Sequence, residues 1–241
     1  MPYLSVGEIE SIARRVITAY RKLPALAGQQ VSMVQPELLV KDLLGLSIEY
    51  HVLSSNGSVL GLTSCGEVGV HIYDDPDHPE YYFLDGKTLL VDSSLIADGA
   101  NLGRYHFTLT HEGCHQIFRL LYPKEYIGCA ARRQIHYCRQ QSAAADGSWE
   151  EWRTNILTAS VLMPEDMVRD NLEAFGLGGK QLVLNRVFAR SDYERFAEMA
   201  AYMGVSKTAL SIRLKRLGLL RADYLRNPYA LVDIYPDEGE L

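Results

Sequence analysis

The stretch L-T-H-E-G-C-H-Q-I-F, residues 109–118, limits what this chain can fold into more than any other. It lies in an apolar run, Leu102–Leu121, followed by Pro123, and the run reads as one amphipathic helix. Each residue of an α-helix turns about 100°, so His111 and His115 share a face, one turn apart, and can aim both imidazoles at one point. Nitrogen ligands at that spacing suit a tetrahedral Zn²⁺. Glu112 beside them is placed to take a proton from a water at the metal rather than to ligate it. A bare HExxH arises by chance in about one chain in a hundred, so the remaining parts of the site have to be found elsewhere. His106 faces away from this pair and reads as structural.

A zinc of this kind needs a third protein ligand and keeps a fourth position for water. The place to look is W-E-E-W-R-T-N-I-L-T-A-S-V-L-M-P, residues 149–164, a helix that ends at Met163-Pro164. Glu150 and Glu151 differ by about 100° around it, so only one of them faces the site. Glu151 shares its face with Asn155 and Ala159, a polar-plus-small stripe. An acidic residue at a helix start is also favourable for the dipole alone. The developing oxyanion needs a donor besides the metal. His136, Tyr137 and Tyr126 could supply it from residues 123–148, which show no period and read as a long loop.

The surrounding elements suggest an α+β chain. Ser5-Val6-Gly7-Glu8 reads as a capping box opening a helix over 6–23, and a second helix starts at Pro36 and stops at Gly45. Residues 47–53 and 59–64 read as a hairpin turning at Asn56-Gly57. Residues 68–73 read as another strand, and 81–84 with 88–91 as a second hairpin turning at Asp85-Gly86. Residues 47–92 are thus expected to form a small, mainly antiparallel sheet ahead of the HEGCH helix. His51 and His71 would fill its faces, with His78 exposed. Residues 165–175 are helical up to the glycines of G-L-G-G, 181–220 are helical again, and the acidic tail is frayed.

The chain has 241 residues, 47% of them apolar, and a formal charge of −6. No global basic field favours nucleic acid. No signal pattern and no membrane-length apolar run is present, so a cytoplasmic protein is expected. Four cysteines without a CxxC pair read as buried thiols.

Residues 196–220, F-A-E-M-A-A-Y-M-G-V-S-K-T-A-L-S-I-R-L-K-R-L-G-L-L, resemble a helix-turn-helix. Lys207, Arg213, Lys215 and Arg216 on its second helix are candidates for DNA or partner contact. A structural helix pair is the reading favoured by the acidic chain. Arg213 stands where such a unit usually buries an apolar residue.

The two separated motifs together resemble the ImmA/IrrE family of metallopeptidases. The matching residues are Phe107-Thr108, His111-Glu112 and His115, then Glu151, Trp152, Asn155, Ala159 and Leu162-Met163-Pro164. The resemblance spans about residues 47–220. It implies a zincin-like catalytic domain over 47–176 with zinc on His111, His115 and Glu151, and Glu112 as the base. Residues 1–46 would be N-terminal helices, and 177–241 an all-α segment holding the helix-turn-helix-like unit. The implied activity is zinc-dependent endoproteolysis of a regulatory protein such as a helix-turn-helix repressor. The alternative is a non-catalytic regulator that binds DNA or a repressor through 196–220. Cys114 stands where the family often has glycine, which puts a thiol beside His115 where it could be oxidised or interfere with metal.

Overall fold

The computed structural model describes residues 3–126, 135–139 and 149–230, with 125–126 and 135–139 as backbone apart from the Cys138 side chain. Helix α1, Val6–Tyr20, starts at the expected capping box. Ser5 Oγ accepts from the Glu8 N–H, and the Glu8 carboxylate accepts from the Ser5 N–H. Its buried stripe is Ile9, Ile12, Ala13, Ile17 and Tyr20. Pro36 opens the short helix α2, Pro36–Leu38, which widens into a π-helical turn over Leu39–Leu43.

Five strands follow: β1, Ser47–His51; β2, Val59–Ser64; β3, Val68–Ile72; β4, Glu80–Leu84; and β5, Thr88–Asp92. The strands lie where the periodicity puts them, but neither expected hairpin forms. β5 pairs parallel with β1 and antiparallel with β2, so it separates them. β4 pairs with β3 instead, in a sheet of its own. The reason is burial. Every residue of β5 is buried, so it belongs at the centre of a sheet covered on both faces. β3 and β4 keep exposed positions and form a two-stranded cover. Asn56-Gly57 and Asp85-Gly86 still turn, with Gly57 and Gly86 at positive φ, but they join strands that do not pair.

Helix α3, Leu102–Leu121, lies on one face of the main sheet. Leu60, Leu89 and Val91 meet Tyr105 and Leu109 of α3 there. On the other face, Leu62 and Leu90 meet Val70, Ile72 and Leu84 of the β3–β4 cover. Beyond α3, the region expected as a loop holds helix α4, Pro123–Tyr126, and strand β6, Ile135–Arg139. β6 adds antiparallel to β2, so the sheet order is β1-β5-β2-β6.

Helix α5, Trp149–Leu162, packs across both α3 and α1. Ile156, Leu157 and Val161 bury there against Ile117, Phe118 and the α1 stripe. Helix α6, Glu165–Ala174, leads to a second core. That core also takes strand β7, Leu182–Leu184; helix α7, Arg190–Tyr202; helix α8, Lys207–Arg216; and strand β8, Leu220–Asp223. The last part is therefore not helical throughout, because β7 and β8 pair parallel at the base of α7 and α8.

The chain is thus a mixed α+β fold with small sheets. Among the described residues no helix is long and apolar enough to cross a membrane. Cys114 and Cys138 are buried thiols outside any disulfide. Cys129, the expected loop outside β6 and α4, and the acidic tail lie outside the described residues.

Candidate metal centre

The centre is built on α3. Asn101 caps the helix, its Oδ1 accepting from the Arg104 N–H at 3.0 Å. Gln116 fixes the same helix laterally to β2, its side-chain amide donating to the Thr63 hydroxyl and to the Ser64 carbonyl. His106, on the far side, donates from Nδ1 to the Gly204 carbonyl at 2.9 Å, the structural role expected of it. With the helix held on both sides, His111, Glu112 and His115 are 2%, 0% and 2% exposed.

Three ligating side chains converge. His111 Nε2 lies 3.2 Å from His115 Nε2 and 3.1 Å from Glu151 Oε2. His115 Nε2 lies 3.3 Å from Glu151 Oε1. Two ligands about 2.0–2.1 Å from a tetrahedral ion stand about 3.3–3.4 Å apart. The separations, two of them to different oxygens of the Glu151 carboxylate, are close to that spacing, and the residues fit a zinc-sized divalent ion. Of the two adjacent glutamates at the start of α5, Glu151 is the one brought to the histidines. Burial would raise its carboxyl pKa, but hydrogen bonds to His111 and His115 outweigh this and hold it well below the usual carboxylate range. Phe107 stacks on the His111 ring, 5.9 Å between centroids and 29° between planes.

Glu112 stands next to this triad without joining it. Both its carboxylate oxygens are buried without a hydrogen-bonding partner at good geometry. Burial pushes its pKa well above the usual range. The Glu151 charge adds to the rise, and the Cys138 backbone N–H opposes it. Glu112 has room because Gly61 faces it from β2. A Cβ on Gly61 would sit 3.0 Å from Glu112 Cγ and Oε1 and 2.6 Å from Thr108 Cγ2. The β2–β6 register shifts between Val59 and Gly61, a bulge that lets Leu60 and Gly61 both turn to the α3 side.

Cys114 is not at the centre. It is fully buried where α3 packs on α5 and α1, among Ile117, Phe118 and the α1 stripe. Burial pushes its thiol up to about 12, although a bond with Thr158 pulls the other way. The thiol that approaches the centre is Cys138, paired with Gly61 across the β2–β6 ladder. Sequence reasoning missed Cys138, Gly61 and Gln116. A lone glycine inside a strand was the one available signal for close approach.

His136 and Tyr137 lie in β6, where their backbone pairs with Thr63 and Leu62 rather than looping. Their side chains, like that of Tyr126, lie outside the described residues. Lys207, Lys215 and Arg216 are exposed on α8. Lys207 Nζ sits 5.5 Å from the Tyr193 ring centroid and 3.1 Å from its hydroxyl. Arg213 corrects the expectation of surface contact, being 1% exposed. Its guanidinium donates to the Glu10 carboxylate, to Ser160 Oγ and to the Met163 carbonyl, so it ties α8 to α1 and α5. A charge can occupy a position that usually takes an apolar side chain because every element around it offers an acceptor. Compared with protein-family models and with curated proteins, the chain matches none.

Proposed function

We propose that the chain is a zinc-dependent endopeptidase, as the ImmA/IrrE resemblance implies, acting on a regulatory protein such as a helix-turn-helix repressor. The observation that carries this reading is the convergence of His111 Nε2, His115 Nε2 and the Glu151 carboxylate at separations near those of zinc ligands. An HExxH helix laid on a small sheet, with its third ligand from the next long helix, also suits a zincin-like unit.

Held by His111, His115 and Glu151, zinc would supply a Lewis acid for the scissile carbonyl and would lower the pKa of a water on it to about 7. The chain's own part falls to Glu112, which takes the water's proton as the water oxygen bonds to the carbonyl carbon. Glu112 then returns that proton to the nitrogen as the C–N bond breaks, so no net proton is consumed. Buried beside the ligands, with the Cys138 backbone N–H near its carboxylate, it is placed for this transfer, and a divalent charge there would draw its pKa back down. Phe107 and the Gln116 anchor hold the ligands in place before any ion arrives.

The test is metal content of protein purified without chelator, beside cleavage of a partner repressor. About one zinc per chain, lost in Glu151→Ala, together with cleavage lost in Glu112→Gln, supports the reading. Wild-type protein that takes up no metal even when zinc is added overturns it.

A second reading, binding of DNA through α8, has one observation in its favour. Lys215 and Arg216 are exposed together at the end of that helix. Salt-sensitive DNA binding lost in a Lys215→Ala/Arg216→Ala variant would favour it, and no binding at low salt would remove it.

A further inference from the structure

A second set of ligating atoms meets beside the first. His111, Glu112 and Cys138 each offer one atom, all within 4.8 Å of one another, and all three residues are buried. The backbone brings them together. Glu112 adjoins His111 on α3, and the bulge in β2 sets Cys138 of β6 opposite Gly61, facing α3 where a side chain on β2 would otherwise intrude. Cys138 Sγ also lies 3.9 Å from Thr108 Oγ1, one turn before Glu112.

The thiol is not the only sign of a ligand. Both Glu112 oxygens are buried and lack a hydrogen-bonding partner at good geometry, although the residue is 0% exposed. A buried carboxylate in that state needs either a proton or a cation. The donor set of thiolate, imidazole and carboxylate is one that zinc accepts and that magnesium or calcium does not favour.

We propose that His111, Glu112 and Cys138 form a second metal position, alternative to the His111–His115–Glu151 set, which takes a thiophilic divalent ion and holds the centre in a resting state. This rests on the reading of His111, His115 and Glu151 as a metal centre. His111 belongs to both sets, so an ion in the second position draws a ligand from the first. On binding, the Cys138 S–H bond breaks, the sulfur bonds to the ion and the proton leaves to solvent, about one proton per ion taken up. Glu112, once it ligates through one oxygen, is a weaker base toward a water proton. The resting state is therefore weakened through its base as well as through its metal.

Cobalt(II) is the probe, because a cobalt–thiolate bond adds a near-ultraviolet charge-transfer band that nitrogen and oxygen ligands do not. Cobalt is titrated into the metal-free full chain, wild type beside Cys138→Ser and Glu151→Ala, and into a triple variant, Cys65→Ser/Cys114→Ser/Cys129→Ser, in which Cys138 is the last thiol. The expected result is the band in wild type, its loss in Cys138→Ser with cobalt still bound, and its survival in Glu151→Ala and in the triple variant. The triple variant decides the point if Cys138→Ser does not fold. Cobalt bound by wild type without the band, or a band that persists in Cys138→Ser, overturns this inference and leaves the first centre standing. No cobalt bound at all overturns both.

Discussion

At the scale of single residues, the centre depends on atoms that leave little freedom. Replacing Glu112 by glutamine keeps its size and shape and removes its capacity to take a proton. The expected result is a loss of about 10²–10⁴-fold in turnover with zinc content unchanged, read by metal analysis beside a cleavage assay. Gly61 acts at one remove. Alanine there would bring a Cβ within 3.0 Å of Glu112 Cγ and Oε1, so the base must move. A displacement of that order costs about 10–100-fold in turnover, again with the ion retained. Equal activity in Gly61→Ala and wild type would show that Glu112 is not held where the reaction needs it. HEGCH could be read from spacing because an α-helix fixes the relation of i to i+4. Gly61 and Cys138 could not, because their relation to Glu112 runs through a strand ladder and a bulge.

At the scale of elements, α3 is held from two sides, and each side makes a separate prediction. Gln116 donates to Thr63 and to the Ser64 carbonyl, all three buried. Gln116→Leu leaves that carbonyl and hydroxyl without their donor, and about 1–3 kcal/mol of stability should go with it, measured by urea unfolding. On the other side, Gly204 forms the turn between α7 and α8 at φ 64°, and its carbonyl accepts from His106 of α3. A Cβ at Gly204 would lie 2.5 Å from His106 Nδ1. Gly204→Ala combines backbone strain with that collision and should cost about 2 kcal/mol or more in the same assay. A variant as stable as wild type would mean the turn shifts freely against α3. The helices themselves follow the apolar period, and α3 and α5 lie where it puts them. Strand partners did not follow, because alternation marks a strand without naming its neighbour. β5 took the centre through its complete burial, which overrode the turn signal at Asp85-Gly86.

At the scale of the whole molecule, the ion pair of Glu10 with Arg213 joins α1 to α8, with Ser160 and the Met163 carbonyl between them completing it. Arg213→Met leaves Glu10 facing the interior without its cation and should cost about 2–4 kcal/mol. Adding Glu10→Gln should restore part of the loss. The pair also carries a pH signature. Burial would raise the Glu10 pKa, but hydrogen bonding and the charge of Arg213 outweigh it and leave the carboxyl below its ordinary value. A pKa lower in the folded than in the unfolded chain gives stability that is complete above about pH 4.3 and is lost as pH falls through the folded value. Wild-type protein should therefore lose more melting temperature below about pH 4 than the Glu10→Gln/Arg213→Met double variant. Parallel acid profiles for the two would show that the pair contributes no linkage.

The sequence alone determined the parts whose geometry is local. These are the helix boundaries set by caps and proline, the two histidines on one helical face, and the narrowing of their acidic partner to one of two adjacent glutamates. Tertiary structure alone decided the long-range parts. It set β5 between β1 and β2, gave the approach to the centre to Cys138 rather than Cys114, and turned Arg213 from a surface cation into a buried tie. The physical reason is the same in each case. Backbone hydrogen bonding within a helix fixes neighbours a turn apart, whereas the partner of a strand, a thiol or a buried charge is chosen by what the rest of the chain leaves to pair with it.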